Sequence, residues 1–234
     1  MKLSLFGSIE NFMVGLQDTL RLHGYTDRVL TERQLADAIG GSAARRYGIV
    51  NRALKSRNLL RIKRGLYALP AHLRSTPLHP YVVAQALHPG SYVSFESALS
   101  FHGWIPEAVR QTASVTPGRK SIDYETETFG AFTFLPLALQ PYQFLVGVER
   151  HRLNDATALI ASPLRALMDI VAYRKIRWQG VSWITEGLRV DIEQMSGLDP
   201  QTFQRLCDVY KHTAARAFAN RLYDALAQHR ELAR

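Results

Sequence analysis

Between Asp37 and Glu96 the chain carries no acidic residue, yet Arg45, Arg46, Arg52, Lys55, Arg57, Arg61, Lys63 and Arg64 crowd a short part of that stretch. Fixed positive charge without counter-charge repels itself on folding and attracts polyanions, so the chemistry these side chains offer is the holding of phosphates. The imbalance is local. Of the formal charge of +9, residues 1–75 supply +8, thirteen Lys/Arg against five Asp/Glu, and residues 76–234 supply +1, sixteen against fifteen.

Other chemistry finds less support. Glu125 and Glu127 lie two residues apart, on one face of a strand, and such a pair can hold a metal. No lysine follows at the spacing of a nuclease site. His102, His151, His212 and His229 lack the Cys or paired-His spacing of a zinc site. Ser94, Ser97 and Ser100 lack a nucleophile-elbow context, and there is no glycine-rich phosphate loop. The residues therefore argue against an enzyme and call for no cofactor or metal. The single cysteine, Cys207, has no partner for an internal disulfide, which suits a reducing cytoplasmic setting. No apolar run approaches the roughly 20 residues a bilayer needs, and the start of the chain lacks the apolar core of a signal peptide. At 234 residues with 47% hydrophobic content, the chain has ample material for a folded core.

The basic residues need elements to position them. Ile9, Phe12, Met13, Leu16 and Leu20 recur at helical spacing, predicting a helix from Ser8 to Leu22 that ends at Gly24. Thr31 with Gln34 three residues on is a capping-box signature, and Leu35, Ala38 and Ile39 continue a short helix that Gly40 and Gly41 stop. Ser42 caps the next helix, so two helices meet at a glycine turn in the helix-turn-helix arrangement. At about 100° per residue, with Arg45 at 0°, Arg52 and Ser56 fall within about 20° of it, while Ala43, Tyr47, Val50 and Leu54 fall between about 140° and 200°. The expected orientation buries Tyr47, Val50 and Leu54 and turns Arg45, Arg52 and Ser56 outward. Gly48 lies inside this helix. After Asn58 the period changes to two: Leu60 and Ile62 alternate with Arg61 and Lys63, Arg64 and Gly65 turn the chain, and Tyr67 and Leu69 resume. A basic hairpin after such a helix pair is the wing of a winged helix-turn-helix, with Arg64 at its tip. Pro70, Pro77 and Pro80 then mark a boundary near residues 70–80.

The neutral remainder reads as mixed α/β. Helices are expected over Tyr81 to Leu87, Phe95 to His102 and Pro163 to Tyr173. Strands are expected at Tyr92 to Ser94, Thr112 to Thr116, Ile122 to Thr126, Ala131 to Leu135, Gln143 to Val148 and Ala156 to Ile160. Two closing helices follow Asp199-Pro200, carrying the apolar stripes Phe203, Leu206, Val209, Tyr210 and Phe218, Leu222, Leu226. Arg165 and Asp169 read as an i,i+4 ion pair on a helix.

Three blocks together resemble the antitoxins of the AbiE-type, or type IV, bacterial toxin-antitoxin systems: the hairpin text Leu60 to Leu69, the run Tyr92 to Gly103, and Ala161 to Asp169. The likeness covers roughly residues 30–172. It departs at Leu164, where the family often has a carboxylate before the arginine. The resemblance implies an amino-terminal winged helix that represses its own operon. It also implies a carboxy-terminal domain that antagonises a nucleotidyltransferase toxin, generally without a tight complex. The expected protein is thus α+β, with a winged helix-turn-helix domain over residues 1–75 and a larger mixed α/β antitoxin domain with closing helices over 76–234. It is expected to be cytoplasmic, to bind double-stranded operator DNA through Arg45, Arg46, Arg52, Lys55, Ser56, Arg57, Arg61, Lys63 and Arg64, and to contact no membrane. The alternative is a ligand-responsive winged-helix regulator unrelated to toxins, whose second domain binds a metabolite.

Overall fold

The computed structural model describes residues 15–107 and 109–232. The chain is α+β and divides into two units: one holds the residues up to Leu87 with 126–129 and 152–157, the other 88–125, 130–151 and the residues from 158 on. The first unit therefore continues past the proline-containing stretch at 70–80.

In the first unit, helix α1 covers residues 15–22; the expected start at Ser8 lies outside the described residues. A two-residue strand, β1 (Leu30–Thr31), leads directly into α2 (Glu32–Ile39). The capping box is complete: the Thr31 hydroxyl accepts from the Gln34 backbone N–H, and the Gln34 side chain accepts from the Thr31 N–H at 2.9 Å. Gly40 ends α2 at φ +64°, a left-handed conformation that a side chain would strain. Ser42 caps α3 (Ala43–Lys55) by accepting from the Arg45 N–H at 3.3 Å. Strands β2 (Leu60–Lys63) and β3 (Leu66–Ala68) form the hairpin, and β1 adds to β3 to give a three-stranded sheet in the order β1-β3-β2. The period-two pattern foretold the hairpin; β1 is too short to show any period. Leu20, Leu30, Leu35, Ile49, Ala53, Leu59 and Leu69 form the core with Tyr67. Burial of each large aliphatic side chain is worth about 1.5–3 kcal/mol. Helix α4 (Pro80–Leu87) ends the first run of chain in this unit.

A mixed six-stranded sheet, most of whose residues belong to the second unit, has the order β6-β7-β5-β4-β9-β8. Its strands are β4 (Tyr92–Val93), β5 (Gln111–Thr116), β6 (Ile122–Thr126), β7 (Gly130–Pro136), β8 (Val148–Leu153) and β9 (Ala156–Ala161). β4 runs antiparallel to β5 and parallel to β9, and β5 is parallel to β7. Helices α5 (Phe95–Phe101) and α6 (Pro163–Arg174) pack on each other. They are followed by a π-helical turn at Trp183–Gly187, α7 (Ile192–Ser196), α8 (Pro200–Cys207) and α9 (Thr213–Leu232). Trp178 and Trp183 stand edge-on to Phe218, which fastens the segment before α7 to α9.

The strand expected over Gln143 to Val148 is not there. Residues 144–147 are turns, and β8 begins at Val148. Gln143, Phe144 and Val146 look like strand residues, but Gly147 takes φ +70° and its carbonyl accepts from the Ser162 N–H at 2.8 Å, which bends the chain. β8 itself, Val-Glu-Arg-His-Arg-Leu, is a charged edge strand, a composition that discourages pairing with another chain and hides the strand from a hydrophobic pattern.

Candidate nucleic-acid interface

The basic residues sit on α3, on the turn after it and on the hairpin. α3 is rotated relative to the sequence expectation. Ile49 and Ala53 are the buried positions, Val50 and Leu54 are partly buried, and Tyr47 stands 74% exposed. The expectation of a buried Tyr47 is thus overturned. The apolar arc on α3 runs from Ile49 at about 40° to Leu54 at about 180°. Its midpoint lies against the core, which leaves Arg45 at one margin and Tyr47 beyond the other. The expectation sets Tyr47 inside because, at about 200°, it falls beside Val50 and Leu54 on the side opposite Arg45. Ile49 and Ala53 instead join Leu20, Leu30, Leu35, Leu59 and Leu69 in the buried cluster, with Val50 and Leu54 packed against it.

The outward sector of α3 consequently contains Arg45, Arg52, Lys55, Ala44 and Tyr47, with Gly48 and Asn51 half-buried within it. A cleft of about 590 Å³ between α2, α3 and the hairpin is lined by Arg46, Tyr47, Asn51, Arg61 and Arg64, with Glu32 as its carboxylate. A second, of about 570 Å³, is lined by Asn51, Lys55, Arg57 and Arg61, with Glu127 as its carboxylate. The structure thus brings Arg46, Arg61 and Arg64 together on one cleft, and Lys55, Arg57 and Arg61 on the other. The hairpin tip is fixed rather than loose, because the Gly65 carbonyl accepts from the Glu32 N–H at 2.9 Å.

Several expected contacts have local duties. The Ser56 hydroxyl donates to the Arg52 carbonyl at 3.0 Å and accepts from Asn58 Nδ2 at 3.1 Å, so it caps the end of α3. Arg57 follows in the left-handed region at φ +56°, with its side chain exposed. Arg46 Nη1 donates to the Gly41 carbonyl. Lys63 Nζ donates to the Leu87 carbonyl, where the negative end of α4 favours a cation. Arg45 lies over the glycine turn: a Cβ built on Gly41 would stand 3.1 Å from Arg45 Nη1. Tyr47 and Asn51 are the residues that sequence reasoning missed on this face; the signal was the full arc of α3, centred on its buried residues rather than on Arg45.

Glu125 and Glu127 are both exposed, and Glu127 lies in the turn after β6, so the two do not share a strand face. Among the described residues, no group of three or more His, Cys, Asp or Glu is arranged to hold a metal, and no helix is long and apolar enough to cross a membrane. Contrary to the expectation that it lacks an elbow setting, Ser94 stands between a strand and a helix, with Phe95 at φ +55°. Its hydroxyl, however, is buried and donates to Asp169 Oδ2 at 2.7 Å, and among the described residues no histidine is hydrogen-bonded to it.

That carboxylate anchors a closed network. Arg165 Nε donates to Asp169 Oδ1 at 2.9 Å, Tyr210 donates to Oδ1 at 2.7 Å and Tyr92 to Oδ2 at 3.0 Å. Arg165 also donates to the Val146 carbonyl and the Tyr92 hydroxyl, and its guanidinium faces the rings of Tyr92 and Tyr210 at 5.1 and 5.5 Å. Burial opposes the Arg165 charge, but Asp169 and the two tyrosines outweigh it and hold its pKa above the usual value. Burial, reinforced by Asp169, pushes both tyrosines well above their usual range. Every strong donor and acceptor in the cluster is turned inward, which marks it as a brace for the fold. Neither the protein-family models nor the curated proteins compared with this chain match it.

Proposed function

We propose that the chain is a DNA-binding autorepressor whose first unit acts as a winged helix-turn-helix, with α3 as the recognition helix and the β2–β3 hairpin as the wing. The observation that carries this reading is the outward sector of α3 together with Arg61 and Arg64: a capped, glycine-bounded helix with cations on both flanks and no acid of its own. Phosphate contacts position such a helix, and base-edge contacts give it sequence preference. Arg45, Arg46, Arg52, Lys55, Arg57, Arg61 and Arg64 supply the charge.

We further propose that the chain is the antitoxin of a type IV system, antagonising a nucleotidyltransferase toxin through its second unit. This half rests on the sequence resemblance. A ligand-responsive regulator is the second reading, and one observation favours it: a cleft of about 460 Å³ lined by Phe203, Gln204, Asn220 and Tyr223 among others, with a size and polarity that admit a small molecule.

The test combines two measurements on the full chain. The protein should bind duplex from upstream of its own gene more tightly than unrelated duplex, and Arg45→Glu with Arg52→Glu should abolish that binding while leaving the fold intact. Expressed from a foreign promoter, the same variant should still protect cells from a nucleotidyltransferase encoded beside it. Absence of duplex binding at low salt would sink the repressor reading. Loss of protection in the folded charge-reversal variant, at matched expression, would show that neutralisation runs through DNA.

A further inference from the structure

We propose that Tyr47 and Asn51 are base-reading residues, with Asn51 taking an adenine in the major groove, and that Arg45 acts as a phosphate holder. This rests on the DNA-binding reading above. The assignment follows from how α3 is seated. With the arc from Ile49 to Leu54 turned to the core, the middle of the outward sector falls near Gly48 and Lys55, not at Arg45. Arg45 stands beside the buried Ile49, at the margin of that sector, and its guanidinium lies over the Gly41 turn.

Asn51 lies one turn beyond Tyr47 on the same side of the sector, and Arg52 lies one turn beyond Gly48 on the other. Asparagine offers the paired donor and acceptor that match adenine N7 and N6, as arginine matches guanine O6 and N7. Tyr47 is 74% exposed, so its ring has no core to fill. An aromatic edge in that position suits contact with a thymine methyl or a sugar. Asn51 also lines both clefts that hold the flanking cations, so the expected phosphate contacts bracket it on either side. Gly48 adds an independent handle: a Cβ built there meets nothing nearer than Arg52 Nη2 at 3.9 Å. Alanine at 48 is therefore free of clashes within the protein and should stabilise the helix, yet it adds a methyl where α3 faces the bases.

The experiment selects preferred duplexes from a randomised pool with the full-length wild type and with Tyr47→Ala, Asn51→Ala, Asn51→Gln, Arg45→Ala and Gly48→Ala, each checked for folding by thermal denaturation. The wild type should favour one A·T pair that Asn51→Ala no longer distinguishes, a loss of roughly 5- to 150-fold in discrimination at that position. Asn51→Gln should keep part of it, and Tyr47→Ala should relax an adjacent position. Arg45→Ala should weaken all duplexes alike without changing the selected motif. Gly48→Ala should raise the melting temperature and lower affinity. If Asn51→Ala and Tyr47→Ala select the wild-type motif while Arg45→Ala changes it, the assignment is overturned and the DNA reading stands. If the wild type retains no duplex at low salt, the DNA reading falls and this assignment with it.

Discussion

Arg165 and Asp169, one turn apart on α6, form an ion pair at 2.9 Å with both side chains wholly excluded from solvent. The spacing is that of an ordinary surface pair, worth about 0.2–0.5 kcal/mol. Burial changes the energetics. Asp169→Asn leaves a guanidinium with no counter-charge in the core and should cost about 3–5 kcal/mol. Tyr210→Phe removes only one donor to the carboxylate and should cost about 1.5–3 kcal/mol. Urea denaturation of the two variants checks the order; equal and small effects would mean that water reaches the cluster.

Gly147 should tolerate no side chain. Its φ is +70°, and a Cβ there would stand 3.1 Å from both Arg165 Cβ and Leu206 Cδ2. The left-handed conformation costs alanine about 1–2 kcal/mol, and crowding of the packed neighbours adds about 1–3 kcal/mol. Gly147→Ala should therefore lower the melting temperature. An unchanged melting curve would show that the 144–147 turn relaxes freely.

On the proposed DNA-binding reading, affinity for duplex should fall steeply with salt. With about five phosphates neutralised per protomer, the log–log slope is expected near −4 to −5. Lys63 stands apart from that count, because its ammonium is held on the Leu87 carbonyl. Lys63→Met should lower stability and leave the slope unchanged, whereas Arg61→Ala should make it shallower by about one. A shallower slope in Lys63→Met would return Lys63 to the DNA-contacting set.

Stability should decline in mild acid. Burial lowers the pKa of His102 below the usual 6.5, against an opposing hydrogen bond from its Nε2 to the Ala161 carbonyl, and burial lowers that of His79 as well. Below pH 6.5 the unfolded chain takes up these protons before the folded one, so stability is fully present above that pH and is lost as pH falls. The His151 ring, 5.5 Å from His102, adds repulsion once both are charged, while Glu149, 3.3 Å from His151 Nε2, offsets part of it. His102→Asn should flatten the dependence between pH 6.5 and 5 in denaturant titrations. A profile that superimposes on wild type would remove His102 as a contributor.

Elements whose signals are local are legible in the chain before any packing is considered. The Thr31 capping box, the Gly40 stop, the Ser42 cap, the alternating hairpin from Leu60 and the Asp199-Pro200 start all appear where their chemistry requires, because each involves residues only a few positions apart. The charge confined to residues 45–64 was equally plain. Packing settled what depends on partners distant in the chain. It seated α3 with Ile49 and Ala53 buried among the core leucines, and so left Tyr47 and Asn51 outward. It also drew Arg165 and Asp169 inside, because Tyr92, Ser94 and Tyr210, up to 77 residues away in sequence, converge on that carboxylate and supply the hydrogen bonds that water would otherwise provide. Helical periodicity fixes which residues share a face. Only the shape and polarity of the packed surroundings fix which face is buried.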